Sequence, residues 1–475
     1  MTSTLSSKAR LAIPRTQMPA QNPLPRSGNF KEVNLGLSQA AAIEEAQRCL
    51  LCRGRNCVSG CPVSVSIPEF IGALAEGEIA NAAAILSGDN ALPAVCGRVC
   101  PQESQCEAKC LRGIKGEPVA IGYLERFVAD WTLANSTALA KAPQPEATGQ
   151  RVAVVGCGPS GLTAAGELAA EGHEVTIFEA LHDTGGVLRY GIPEFRLPKE
   201  IIDVEVERLT ARGVKIECNV IIGKTLSLSD LRTAFDAVYL ANGAGLPILL
   251  DIAGENLSGV YAANEYLTRV NLMGAGQRND CATPIIQGKR VAVIGGGNTA
   301  MDCVRIARRL GAEAAMIVYR REEAQMPARV EEIHHAKEEG VEFVMLAAPL
   351  EIVGDENDWV SALRCQKMVL GEPDGSGRRR PVPLEGETFL LETDVVINAL
   401  GTRANPLLSA TAPELLLNRW GNIEACAAGS TNLAGVFAGG DIVRGGATVI
   451  LAMGDGKRAA ASIAAHLRDQ LSRGA

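Results

Sequence analysis

Eight of the fourteen cysteines fall in two tight groups between residues 49 and 110, and no other feature restricts the fold of this chain so strongly. The first group reads Cys49-x2-Cys52-x4-Cys57-x3-Cys61-Pro62 and the second Cys96-x3-Cys100-Pro101-x4-Cys106-x3-Cys110. Thiols packed this densely, with no secretory signal in front of them, point to bound metal rather than to disulfides. Two readings compete. Two iron–sulfur cubes would use eight soft ligands, and the first group approximates the bacterial ferredoxin pattern, proline included, in which the last cysteine crosses to the other cube. Cys49, Cys52 and Cys57 would then share one cube with a cysteine of the second group, and Cys61 would join the other. The alternative is a pair of four-cysteine zinc sites in a docking module without chemistry. Zinc ribbons, however, use paired CxxC knuckles, and only one CxxC is present. Cys157, Cys218, Cys281, Cys303, Cys365 and Cys426 are isolated and are expected to be buried bystanders.

The cysteine region is a small part of a chain of 475 residues, 47% hydrophobic and 21% charged, which suffices for two or three cores. A net charge of −8 is the wrong sign for tracking nucleic-acid phosphates, so no nucleic-acid partner is expected. No long apolar run and no signal-peptide core occur, so a soluble, cytoplasmic protein without membrane contact is expected. Residues 1–30, with Pro14, Pro19, Pro23 and Pro25, read as an extended arm rather than a packed element. Helices are expected over 40–49, delivering the first cysteine, and over 119–131, closing a small helical domain. Residues 135–150 lose periodicity, carry Pro143 and Pro145, and read as the domain boundary.

Beyond that boundary the texture becomes Val/Ile-rich runs followed by glycines and Ala-rich helices, once over 151–179 and again over 290–320, which predicts repeated βαβ units and parallel sheets. In the first copy a strand over 152–155 runs into Gly156-x-Gly158-x-x-Gly161, and a second strand ends in Glu179. The glycines permit a tight turn and close approach of a pyrophosphate to a helix N-terminus, and the acid suits ribose hydroxyls. The second copy has Gly295, Gly296, Gly297, Asn298 and Thr299, and its second strand ends in Arg320 and Arg321. Guanidinium groups there fit a 2′-phosphate, which favours NADP(H); the competing reading pairs these arginines with Glu322 and Glu323 in solvent. Two sites imply two cofactors, FAD at the acidic one and NADP(H) at the basic one. Further strands are expected over 237–240, 341–345 and 395–400. Gly439-Gly440-Asp441 would bring a carboxylate to a flavin ribityl chain, and a helix from Ala447 would aim its first amides at the flavin's pyrimidine edge. His334 and His335 are expected at the surface, and the Arg378–Arg380 run is expected to form a hairpin turn.

The segments RCLLCRGRNCVSGCPV, LPAVCGRVCPQESQCEAKC, GCGPSGL, GGVLRYGIPEFRLPK and YRREEAQMPA together resemble the glutamate synthase small (beta) subunit family over about 40–475. The same module is similar to the N-terminal part of dihydropyrimidine dehydrogenase and to the large subunit of the electron-bifurcating NADH-dependent ferredoxin:NADP oxidoreductase. The resemblance implies an α/β fold in which a helical domain with two 4Fe–4S clusters precedes two Rossmann-like domains, the NADP domain inserted in the FAD domain. The boundaries would be 1–145 for the helical domain, 146–284 and 406–475 for the FAD domain, and 285–405 for the NADP(H) domain. It implies Cys49, Cys52, Cys57 and Cys110 on one cluster and Cys61, Cys100 and Cys106 on the other, with either Cys96 or Glu125 as fourth ligand. FAD would be held by Gly156, Gly158, Gly161, Glu179, Gly186, Leu188 and Asp441, and NADP(H) by Gly296, Asn298, Thr299, Arg320 and Arg321. The implied activity is NADPH oxidation through FAD and clusters, with no catalytic acid or base. The chain holds no barrel for glutamate or pyrimidine chemistry, so a partner is expected. It would be the glutamate synthase large subunit or, in a bifurcating enzyme, a small flavin/iron–sulfur subunit.

Overall fold

The computed structural model describes residues 5–135, 145–277, 280–375 and 377–474; most of the expected boundary over 135–150 lies outside them. The helices Gln39–Gln47, Ile67–Ala75, Ile79–Asp89, Pro93–Val99 and Ile121–Ala134 form the cysteine-bearing part. In the last of these, Ile121, Leu124, Glu125, Val128, Ala129 and Thr132 are buried, the 3–4 spacing of a helix with one face on a core. The cysteines sit at the helix ends and on one short helical turn and three 3₁₀ turns, Asn56–Ser59, Gln102–Ser104, Glu107–Lys109 and Leu111–Ile114, or beside them. Phe70, Leu74, Leu86 and Leu124 of the helical part share one continuous apolar core with Val152, Val154, Leu168 and Ile463 of the next domain.

Two five-stranded parallel sheets follow the helices. The first runs, in spatial order, Val436–Ala438, Ala237–Leu240, Arg151–Val155, Glu174–Phe178 and Lys215–Glu217. The second runs Val260–Ala262, Val395–Asn398, Arg290–Ile294, Ala314–Tyr319 and Glu342–Met345. In each, the strand feeding a glycine loop is central, and the next strand in the chain lies beside it. The whole second sheet interrupts the first between Leu240 and Val436, so its domain is an insertion. Short antiparallel strands, Leu246–Pro247 and Thr402–Arg403, mark where the chain crosses between them.

Two expectations change. A three-stranded antiparallel sheet, Ala347–Gly354, Val360–Pro373 and Arg379–Glu392, was not foreseen. Its Ile352, Leu363 and Cys365 pack on Ala292, Met316 and Val318 of the second parallel sheet. Arg378 does lie in its hairpin, closed by Asp374 N–H donating to the Arg378 carbonyl (2.7 Å), while Arg379 opens the return strand. The N-terminal arm is also packed rather than a loose tail. Arg26 is 1% exposed and pairs with Glu338 (2.6 Å) and Glu339 (2.9 Å), and Val33 N–H donates to the Phe195 carbonyl (2.9 Å). Prolines keep the arm from forming long helices, but its buried anchors give it a fixed path.

Candidate functional site

The first glycine loop is shaped by contacts that only glycine allows. Gly156 has φ +104°, and a Cβ there would lie 2.5 Å from the Ala241 carbonyl oxygen; a Cβ on Gly161 would overlap the Gly156 carbonyl. Gly158 faces open space and caps the helix Pro159–Ala170, leaving the first-turn amides directed at the cleft. Glu179, buried at the end of its strand, accepts from the amides of Cys157 (2.8 Å) and Leu181 (2.9 Å), so it braces the loop it was expected to complement. Gly186 approaches within 2.8 Å of Gly158 Cα, measured from where its Cβ would be, and Leu188 is fully buried behind it. Asp441 follows the strand Val436–Ala438; its Oδ1 is shut off from solvent without a hydrogen-bond partner, and burial pushes its carboxyl up to about 6, against the Ala447 amide, which pulls it down. That amide is therefore engaged by Asp441, and the long helix starts at Val449. Tyr190 lies where both Glu179 and Asp441 act on its hydroxyl, which burial pushes up to about 12. Asn242, which the sequence reading passed over, has a buried, unpartnered Oδ1. Its signal was positional: it sits just past the end of the strand Ala237–Leu240, on the edge of a parallel sheet where ligands bind. Orphaned buried acceptors around an open glycine cradle fit a polyhydroxylated nucleotide.

The second loop repeats the plan with different side chains. Gly295 has φ +142°, and a Cβ on Gly296 would lie 2.7 Å from the Tyr319 ring, whereas Gly297 is open and caps the helix Asn298–Arg309. Thr299 is exposed, and Asn298 Oδ1 accepts from the Arg329 amide (2.9 Å). The structure separates the two arginines. Arg320 is exposed at the strand end, while Arg321 is buried, donating to the Arg379 carbonyl (2.9 Å) and pairing with Asp374 (2.8 Å). The self-pairing of Arg320 and Arg321 with Glu322 and Glu323, the competing reading, is absent among the described residues: Glu323 pairs with Lys337. Arg329 was also missed; its guanidinium donates to the Arg98 carbonyl (2.6 Å) and to Gln102 (3.2 Å), whose amide in turn donates to the Cys96 carbonyl (3.1 Å).

The cysteines assemble into two sets. Cys49, Cys52, Cys57 and Cys110 line one cavity with Ile67, Ile71 and Leu111. Burial pushes the Cys49 thiol up to about 11, and Cys57, Cys110 and Cys52 push it the same way. Cys61, Cys96, Cys100, Cys106 and Glu125 form the inner set. The Cys96 thiol, then burial, raise Cys100 well above its ordinary value; burial does the same to Cys106, and Glu125 adds to both. Burial also pushes the Glu125 carboxyl up to about 8, against the Asn90 amide that donates to it (2.7 Å). Cys96 points at Asn90 Oδ1 (3.7 Å) and Met453 Sδ (3.5 Å). Among the described residues no three such side chains close on a point for a single ion. The thiols of both sets are soft donors gathered within reach of one another, and this fits a bound iron–sulfur cluster.

The inner set abuts the first sheet's long helix Val449–Gly474. A Cβ on Gly454 would lie 2.8 Å from the Pro62 carbonyl, and Lys457 donates to the Asp89 carbonyl (2.8 Å). Of the two histidines, His334 is exposed beside Glu338 (3.2 Å), but His335 is buried and not at the surface; the helix Val330–Glu338 turns it inward next to Glu332. Three of the isolated cysteines are buried as expected, Cys218 and Cys281 are half-buried, and Cys426 is exposed.

Two family models match the chain: dihydropyrimidine dehydrogenase domain II, 4Fe-4S cluster, over residues 26–137, and pyridine nucleotide-disulphide oxidoreductase over residues 139–456. The glutamate synthase (NADPH) small chain of Azospirillum brasilense is 38% identical, over 95% of this chain and 95% of that one. The NADP(+)-dependent formate dehydrogenase subunit beta of Moorella thermoacetica is 39% identical over 87% of this chain, which spans 60% of that subunit. Mycobacterium tuberculosis FprA in complex with NADPH has a similar fold (TM-score 0.59, 22% identity, 68% of this chain and 86% of FprA). Among the described residues no helix is long and apolar enough to cross a membrane.

Proposed function

This chain belongs to the glutamate synthase small-chain family of pyridine nucleotide-disulphide oxidoreductases, and from that premise we propose that it is an NADPH-oxidising flavin and iron–sulfur electron-transfer subunit serving a partner protein. One observation carries the reading: the inner cysteine set is sealed against Met453 and Gly454, on the first turns of the helix that follows the Asp441 turn. When bound, FAD takes hydride from NADPH, and the clusters carry electrons singly.

The chain's own residues position those groups. Gly156, Gly158 and Gly161 admit the pyrophosphate of FAD, with Glu179, Gly186 and Leu188 shaping the pocket and Asp441 accepting from a ribityl hydroxyl. Gly296, Asn298 and Thr299 form the NADP(H) cradle. Arg320 is free to meet the 2′-phosphate, and Arg321 holds the hairpin behind it. Cys49, Cys52, Cys57 and Cys110 hold the outer cluster. Cys61, Cys100 and Cys106 hold the inner one with Glu125 or Cys96 as fourth ligand: Glu125 acts on all three of these thiols, and Cys96 acts on Cys61 and Cys100 while also reaching Asn90 and Met453. Region 1–145 carries the clusters, and 146–284 with 406–475 and 285–405 divide the nucleotide tasks with one correction. Val260–Ala262 is already a strand of the second sheet, so the NADP(H) domain takes up the chain at the Leu246–Pro247 crossover and not at residue 285. The assembly is a cytoplasmic hetero-oligomer with a large FMN-barrel subunit. A second reading, with electrons flowing into NADP(+) as in a bifurcating enzyme, is favoured by the formate dehydrogenase relative.

Anaerobic titration of the holoprotein with NADPH tests the reading. Flavin and cluster absorbance should bleach together, with iron and sulfide near eight each per chain, on the order of two cubes. Bound zinc without iron, or colour unaffected by NADPH, would overturn it.

A further inference from the structure

The two cysteine sets differ in what surrounds them, and the outer one is surrounded by exposed apolar side chains. Leu51 lies between Cys49 and Cys52 and is 45% exposed; Leu111 follows Cys110 and is 40% exposed; Ile114 ends the same 3₁₀ turn at 74%. The helix Ser7–Ala12 is fastened alongside: Arg10 donates to the Cys49 carbonyl (2.9 Å), and Arg112 donates to the carbonyls of Arg10 and Ile13 (2.6 Å each). This leaves Leu11 54% exposed. Apolar groups gathered in one place on a surface are costly in water unless something covers them.

Cations outnumber carboxylates among the unpaired charges of these segments. Lys8, Arg53, Lys109 and Lys115 are exposed and have no ion-pair partner among the described residues, against Glu44 and Glu117, whereas Glu69 is taken by Arg55 (2.8 Å) and Glu107 by Arg15 (2.7 Å). In a chain of net charge −8 this is a local excess of cation. An apolar centre with a charged rim is the layout of a protein–protein interface whose charges steer the encounter.

We propose that this face around Cys49, Cys52, Cys57 and Cys110 is where a second electron-carrying protein docks, and that the partner meets it with carboxylates around an apolar centre. The proposal rests on the outer cysteines holding a cluster. Electron balance is simple: each NADPH gives two electrons and leaves NADP(+) and a proton, and two one-electron acceptors are reduced.

The test uses the holoprotein under anaerobic conditions, with the acidic haem domain of cytochrome b5 and the basic cytochrome c as probes and menadione as a small neutral acceptor. Cytochrome b5 should be reduced faster than cytochrome c at low salt, and should lose that advantage at high salt. Lys8→Glu with Lys115→Glu should slow cytochrome b5 about tenfold and speed cytochrome c, leaving menadione reduction and cluster bleaching unchanged. Ile114→Asp should slow cytochrome b5 as well. Equal cytochrome b5 rates for the charge-reversed and unaltered proteins, or a faster cytochrome c with the unaltered protein, would overturn the proposal. Clusters that NADPH does not bleach in the unaltered holoprotein would remove the reading beneath it, a result distinct from a surface that fails while bleaching persists.

Discussion

The two parallel sheets share the order of four neighbouring strands and a glycine loop after the central one, yet they are held by different means. The remaining edge strand comes last in the chain in the first sheet (Val436–Ala438) and first in the second (Val260–Ala262). The first is sealed by close approach: the helices Pro159–Ala170 and Val449–Gly474 pack so tightly that a Cβ on Gly456 would overlap the Ser160 carbonyl. The second is held by buried charge. Glu339 receives Arg26 (2.9 Å), Arg305 (2.7 Å) and Arg309 (2.7 Å), and Glu332 receives Arg305 and Arg196 (3.0 Å). Arg26 comes from the N-terminal arm and Arg196 from the first sheet's domain, so carboxylates of one domain fix three segments in one arrangement. Buried ion pairs add little net stability over an apolar core, but removing one partner strands the others. Topology therefore decides where a nucleotide lies, while the material between elements decides what each domain depends on.

Gly161→Val should break the first half outright. The side chain would strike the Gly156 carbonyl, and the purified protein should carry no flavin by its visible spectrum, while Gly297→Ala, in open space, should leave flavin content unchanged. The hub of the second half is the next lever. Glu339→Gln should cost about 3–5 kcal/mol in urea unfolding. The guanidinium groups hold Glu339 well below its ordinary value of 4.5 and Glu332 at about 2, despite burial. Carboxyls depressed in this way stabilise the fold fully above the unfolded value and lose that contribution as pH falls through the folded one. The unaltered protein should therefore lose this stability between about pH 4.5 and 2, and the difference from the variant should shrink over the same range. The smallest effect sharpens the contrast between Glu179 and Arg320. Arg320→Ala should raise KM for NADPH about 10–100-fold with NADH little changed, from a lost charge-assisted bond of about 1.5–3 kcal/mol. Equal losses for both nucleotides would remove the 2′-phosphate assignment.

What was readable in the sequence was local. Each glycine loop, its strand and the residue closing the next strand occur within about thirty residues, a βαβ unit's length, so periodicity and spacing locate them. The cysteine groups are equally compact. What escaped reading depends on partners far along the chain. Arg26 looks like part of a polar tail until Glu339 is placed beside it, and Arg321 is indistinguishable from Arg320 until the hairpin brings Asp374 and Arg379 against it. His335 and His334 are adjacent in a helix, and only the packing of that helix decides which faces inward. The antiparallel sheet was missed because its long strands carry mixed polar patterns without a clean alternation: four of the fourteen residues of Val360–Pro373 are exposed, and ten of the fourteen of Arg379–Glu392.

The insertion also sets an order in time. Strand Ala237–Leu240 pairs on one side with Arg151–Val155 as soon as both exist, but its other neighbour, Val436–Ala438, is encoded far downstream. At ~5–20 residues per second, the roughly 200 intervening residues take on the order of 10–40 s to leave the ribosome. Every strand of the second sheet emerges within that interval, so the guest domain has time to close while its host still shows an unpaired edge. During synthesis, the nucleotide fold that comes first in the sequence is the last to be completed.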